Sequence, residues 1–175
     1  MVQRASDEIA DDIWFLSLGV VQNDITPRHR EFLEYFYAEE FADPSNVVGS
    51  HKSRGMVKRE KIRAYIEGNL VSGPEAVRAK GVGKVLTKAY SGFIHAASPH
   101  IMDMYGGMPP RFDVNGASKN FRYAAHARDA LNYFYRSVLA MAIAAKAFQD
   151  ESLFSSMRAL AAEMETGMGR AGLSD

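Results

Sequence analysis

Ionisable side chains recur at helical spacing between residues 84 and 95. Lys84, Lys88, Ser91 and His95 follow one another at intervals of four, three and four residues. An α-helix turns about 100° per residue, so this spacing places the four side chains on one stripe. Histidine changes charge near neutral pH, so His95 is a candidate general base or proton donor, and the lysines are candidates for binding an anionic substrate. The solvent-facing side of any amphipathic helix has the same appearance, and the spacing alone does not choose between the two interpretations.

A second stripe lies in the alanine-rich segment near the end of the chain. His126 and Asp129 are three residues apart, so a carboxylate could orient the imidazole, and Arg122 lies one turn earlier. A solvent-exposed ladder of ion pairs explains the same spacing without a function. Both interpretations therefore stay open for Arg122, His126 and Asp129.

The charges are unevenly distributed, although the chain carries 21 basic and 21 acidic residues and has no net charge. Residues 1–50 hold three basic and ten acidic side chains, whereas residues 51–88 hold ten basic and three acidic ones. The neutral total excludes a uniformly basic nucleic-acid coat. The basic segment could bind phosphates through Lys52, Arg54 and Arg59. Alternatively, the acidic and basic segments pack against each other.

Several classes of site are excluded by residue content. The chain has no cysteine, which rules out disulfides, thiolate metal sites and cysteine nucleophiles. His95, His100 and Asp103 are close in sequence but do not form a recognisable metal-binding pattern. We expect neither a metal nor a cofactor.

The segment Tyr90-Ser91-Gly92-Phe93-Ile94-His95-Ala96 resembles the C-terminal helix motif of the HEPN superfamily. Those proteins are small helical domains, often dimeric, and their active members are metal-independent ribonucleases with an arginine a few residues before the motif histidine. The resemblance implies a domain that handles RNA or nucleotides, with His95, Tyr90 and Ser91 as candidate catalytic residues. Tyr90 stands at the arginine position, so the resemblance fits a binding protein or a degenerate ribonuclease, and catalysis is left undecided. The alternative is a non-catalytic helical interaction module that forms a homodimer.

The pattern of apolar residues predicts an all-α fold. We expect one domain over residues 1–175, an antiparallel bundle of about five to six helices with a frayed end at 167–175. An irregular segment rich in glycine and proline separates the last two helices from the others at residues 98–117. The predicted helices cover about 7–22, 27–41, 57–70, 84–97, 118–148 and 151–164.

Large apolar side chains mark the expected core or subunit interface. They are Phe32, Phe36, Phe93, Leu131, Phe134 and Val138. The aromatic stripe at residues 32–41 and the alanine-rich helix offer more apolar surface than a small bundle readily buries, which predicts a homodimer. No stretch has the features of a secretory signal or a membrane span, so we expect a cytoplasmic protein.

Overall fold

The computed structural model describes residues 2–70, 102, 105–106, 108–112 and 123–169, and for residues 2–4, 125 and 126 the backbone alone. These parts form helices α1 (Val2–Val21), α2 (Pro27–Tyr37), α3 (Arg59–Leu70), α4 (Tyr123–Ala147) and α5 (Glu151–Gly167). A small antiparallel hairpin joins β1 (Tyr105–Gly106) to β2 (Arg111–Phe112). The chain is therefore an all-α helical bundle, as predicted. The predicted helix at 84–97 and most of the irregular segment lie outside the described residues.

Local sequence signals place several helix ends. Thr26 lies in extended conformation just before Pro27, and the fixed φ of proline suits the first helical position, so α2 begins where predicted. The Asp150 carboxylate accepts a hydrogen bond from the Leu153 amide at 2.9 Å and caps α5.

Several helix boundaries differ from the prediction, among them the end of α5, which lies at Gly167 rather than at 164. Helix α1 begins at Val2 rather than near residue 7, and α3 begins at Arg59 rather than at 57. Helix α2 ends at Tyr37 rather than near 41, because Phe41 pairs with Lys52 in an isolated β-bridge. That bridge needs extended backbone, which a continued helix would not supply.

The core lies where α1 meets α3. Phe15 and Leu18 of α1 pack with Val57, Ile62 and Ile66. Helix α1 also runs along α4, and α4 packs against α5. The residues that α4 buries are alanines, Ala140, Ala142 and Ala145. Their small side chains allow close approach of the neighbouring helices.

Some residues predicted for the core or interface are not in the core. Phe32 packs against the core cluster and Val138 is half-buried, but Phe36, Leu131 and Phe134 are exposed. In α4 the alanines occupy the most buried positions, and Leu131 and Phe134 lie on more exposed parts of the helix. Phe93 lies outside the described residues.

Candidate functional site

A network of aspartates and arginines joins α1 to α3. Asp7 and Asp11 are one turn apart on α1, and Arg59 and Arg63 are one turn apart on α3, so the two pairs can face each other. Arg63 donates from Nε to Asp11 Oδ2 at 2.7 Å. The guanidinium of Arg59 binds both carboxylate oxygens of Asp12. It also donates to the Glu8 carbonyl oxygen at 3.1 Å.

Helix α4 enters the same network through Arg136. Its guanidinium binds Asp7 and donates to Asp11 Oδ1 at 3.2 Å. Asp11 therefore lies between Arg63 and Arg136, and only 3% of it is exposed. These ion pairs connect three helices, and in this region the acidic and basic segments pack against each other.

Burial changes the acidity of groups in this network. It raises the pKa of Asp7 above the usual value, an effect that outweighs the opposing attraction of Arg136. Burial likewise raises the pKa of Asp12 despite its hydrogen bonds from Arg59. The pKa of the Tyr133 hydroxyl is raised by burial and by the charge of Asp7. Asp7, Asp11 and Asp12 of this network bind arginines, and no group of three or more residues that could hold a metal ion occurs in the described part of the chain.

The other described phosphate candidates lie in the loop after α2. Lys52 Nζ lies 3.2 Å from Glu40 Oε1, and Arg54 Nη2 lies 3.9 Å from Glu40 Oε2. All three groups are exposed. Such surface pairs contribute little stability, and solvent competes for their partners. Arg59, by contrast, binds Asp12 between two helices. Lys52 and Arg54 lie near Glu40, so the three basic residues do not share one acidic partner.

The candidate residues of the first stripe and of the resemblance lie outside the described part of the chain. They are Lys84, Lys88, Tyr90, Ser91 and His95, together with Arg122 of the second stripe. His126 lies in α4, where its backbone alone is described, and Asp129 is half-buried on the same helix. The proposed roles of both stripes therefore stay predictions.

The structure reveals a buried histidine that the sequence interpretation missed. His29 is 1% exposed, and its ring stacks on Phe15 with centroids 4.1 Å apart and meets the Tyr65 ring edge-on. Its Nδ1 accepts from the Thr26 amide at 3.0 Å, so Nε2 carries the proton and donates to the Phe15 carbonyl oxygen at 3.0 Å. Both ring nitrogens are hydrogen-bonded, and the bond to the Phe15 carbonyl oxygen links α2 to α1. The cap-and-proline start of α2 was the available signal, because it places His29 in the first turn.

Large apolar side chains remain exposed on several helices, among them α2 and α4. On α2 they are Leu33, Phe36 and Tyr37, and the rings of Phe36 and Tyr37 meet edge-on with centroids 5.2 Å apart. On α4 and the residue after it they are Leu131, Phe134, Met141 and Phe148. Exposed apolar groups on this scale are typical of surfaces that bind another molecule.

Within the described residues, no helix combines the length and the hydropathy needed to cross a bilayer. Comparison of this chain with protein-family models, with curated proteins and with solved structures finds no match.

Proposed function

We propose that this chain is a non-catalytic helical interaction module that forms a homodimer. The observation that carries the proposal is the exposure of aromatic side chains on two helices, with Phe36 64% and Phe134 66% exposed. Each large aromatic ring that moves from water into an interface contributes a favourable free energy in proportion to its buried area. A second copy of the chain supplies such an interface without any further component.

The ion pairs made by three arginines support this function over RNA binding. Arg63 and Arg136 share the buried carboxylate of Asp11, and Arg59 binds Asp12. A phosphate group would have to displace those carboxylates and leave a buried aspartate without its partners, which costs several kcal/mol. The acidic and basic segments therefore serve the fold in the region where they meet.

The test measures the mass of the protein in solution. Sedimentation equilibrium of the full chain at micromolar concentration is expected to show a species of twice 19.4 kDa. A single species of 19.4 kDa across the concentration range would overturn the homodimer.

The competing function is tested on the same preparation. RNA binding and cleavage are measured with the wild type and with His95→Ala, and the proposal expects no RNA activity in either protein. RNA cleavage that disappears in His95→Ala would overturn the non-catalytic assignment and favour the function implied by the HEPN resemblance.

A further inference from the structure

The geometry points to one side of the α4–α5 hairpin as the surface through which two copies of this chain meet. This inference rests on the proposed homodimer and names its contact surface. We call this surface the hairpin face, and its exposed apolar residues are Phe134, Met141, Phe148, Leu153 and Leu160.

The spacing of these residues on α4 is that of a helix-pairing seam. Phe134, Met141 and Phe148 are seven residues apart, and Leu131 and Val138 each lie three residues before one of them. Apolar residues that alternate at three and four along a helix form the stripe that coiled coils bury. At 1.5 Å per residue, the line from Phe134 to Phe148 is about 21 Å long. The second helix repeats the spacing, because Leu153 and Leu160 are also seven residues apart.

The contacts between α4 and α5 place their two lines of exposed apolar residues on the same side of the hairpin. The line on α4 is Phe134, Met141 and Phe148, and the line on α5 is Leu153 and Leu160. Tyr135 of α4 donates to Glu165 of α5, and Lys146 Nζ lies 5.4 Å from the centroid of the Phe154 ring. These two contacts mark one side of the hairpin. At about 100° per residue, Phe134 and Met141 point roughly 100–140° away from Tyr135 and Lys146.

The same rotation applies on α5. Leu153 and Leu160 lie roughly 100–140° from Phe154 and Glu165 around the helix. Both lines of apolar residues therefore lie on the side opposite to the Tyr135–Glu165 contact. They form one continuous surface that no other described helix covers, since α5 packs against α4 alone among the described elements with extensive contacts.

The area of the hairpin face suits a dimer interface. An aromatic side chain presents on the order of 200 Å², and Phe134 and Phe148 are 66% and 86% exposed. With Met141, Leu153 and Leu160, each between a third and a half exposed, the apolar area is roughly 500 Å². A standard interface needs about 800 Å² from each partner, and polar rim atoms supply the remainder.

The low charge of this face fits a second copy of the chain as the partner. Beside the two apolar lines lie Ser137 and Ser156, with the exposed carboxylate of Glu163 three residues after Leu160, whereas Arg128, Lys146 and Arg158 point to other sides of their helices. In a two-fold dimer the same surface meets itself, so a charged face would bring like charges together. Because Glu163 lies beside the apolar line and not in it, the face pairs with its copy at a small cost of this kind.

The aromatic residues of α2 fit a self-pairing surface less well. Phe36 and Tyr37 lie close in sequence to Arg30, Glu34 and Glu39, which are all exposed. Pairing of this surface with its own copy would have to desolvate those charges or bring like charges together. We therefore place the dimer contact on the hairpin face and not on α2.

The experiment introduces one charge on each surface at matched exposure. Phe134→Glu places a carboxylate in the hairpin face, and Phe36→Glu places one on α2, where the original ring is 64% rather than 66% exposed. Dimer dissociation constants are measured by sedimentation equilibrium of the full chain, with circular dichroism as the check on folding. We expect Phe134→Glu to weaken the dimer roughly 30-fold or more, because each copy contributes one buried ring and one like charge. Phe36→Glu is expected to leave the constant within about threefold of the wild type.

A second variant keeps the test decisive if Phe134→Glu does not fold. Phe148 lies just after α4 and is 86% exposed, so Phe148→Glu disturbs the same face with little effect on the monomer. A dimer that both hairpin-face variants leave intact, or that only Phe36→Glu dissociates, would overturn the hairpin face while the proposed homodimer stands. A wild type that is monomeric throughout would overturn both.

Discussion

Replacing Gly19 by alanine tests how firmly His29 holds α2 against α1. A Cβ built on Gly19 meets His29 Nε2 at 2.7 Å and Cδ2 at 3.0 Å, where ordinary contact begins near 3.4 Å. The ring cannot easily retreat, because it stacks on Phe15 and is hydrogen-bonded at both nitrogens. Overpacking of this kind costs about 1–3 kcal/mol. The better helix propensity of alanine offsets up to about 1 kcal/mol, so a net loss is expected.

A double-mutant cycle separates the steric contact between residue 19 and His29 from the higher helix propensity of alanine. His29→Ala removes the ring and opens the space, so Gly19→Ala is expected to change sign and stabilise that background by up to about 1 kcal/mol. The free energy of unfolding is measured by urea titration of the wild type, both single variants and the double variant. Equal effects of Gly19→Ala in the two backgrounds would refute a rigidly held His29, as would stabilisation of the wild type.

Two further predictions concern the ion network and the cap of α5. Because burial raises the pKa of Asp7, the folded protein holds the Asp7 proton more tightly than the unfolded chain, and this contribution to stability grows as pH falls through the folded pKa toward 3.8. Relative to the wild type, Asp7→Asn should therefore gain stability as pH rises from about 4 to 7 in urea titrations, and a relative loss over that range would contradict the sign. Asp150→Ala removes the acceptor of the Leu153 amide and should cost about 0.5–2 kcal/mol, whereas Ser155→Ala, an exposed change on the same helix, should cost less than about 0.5 kcal/mol. Equal effects of the two alanine variants on the urea midpoint would argue against the cap.

Interactions between close neighbours in the chain could be predicted from the sequence. The start of α2 depends on Thr26 and Pro27, and the cap of α5 depends on Asp150 and Leu153, which are three residues apart. Such signals act within one turn of helix, so they need no knowledge of the rest of the molecule. Helical periodicity in the same way predicted an all-α bundle.

Contacts between distant residues were decided by the tertiary structure. The sequence showed an acidic segment and a basic one, but not that Asp11 is shared by Arg63, 52 residues away, and Arg136, 125 residues away. It also left the role of His29 unnoticed, because burial of a ring depends on which helices pack around it.

The faces of α4 show most clearly why periodicity was insufficient. This helix carries apolar residues around most of its circumference, and the prediction places Leu131, Phe134 and Val138 in the core or an interface. In the structure Ala140 and Ala145 occupy the buried positions and Phe134 is exposed. Close packing of helices favours small residues at the contact, and which small residues make it depends on neighbours that lie far away in the chain.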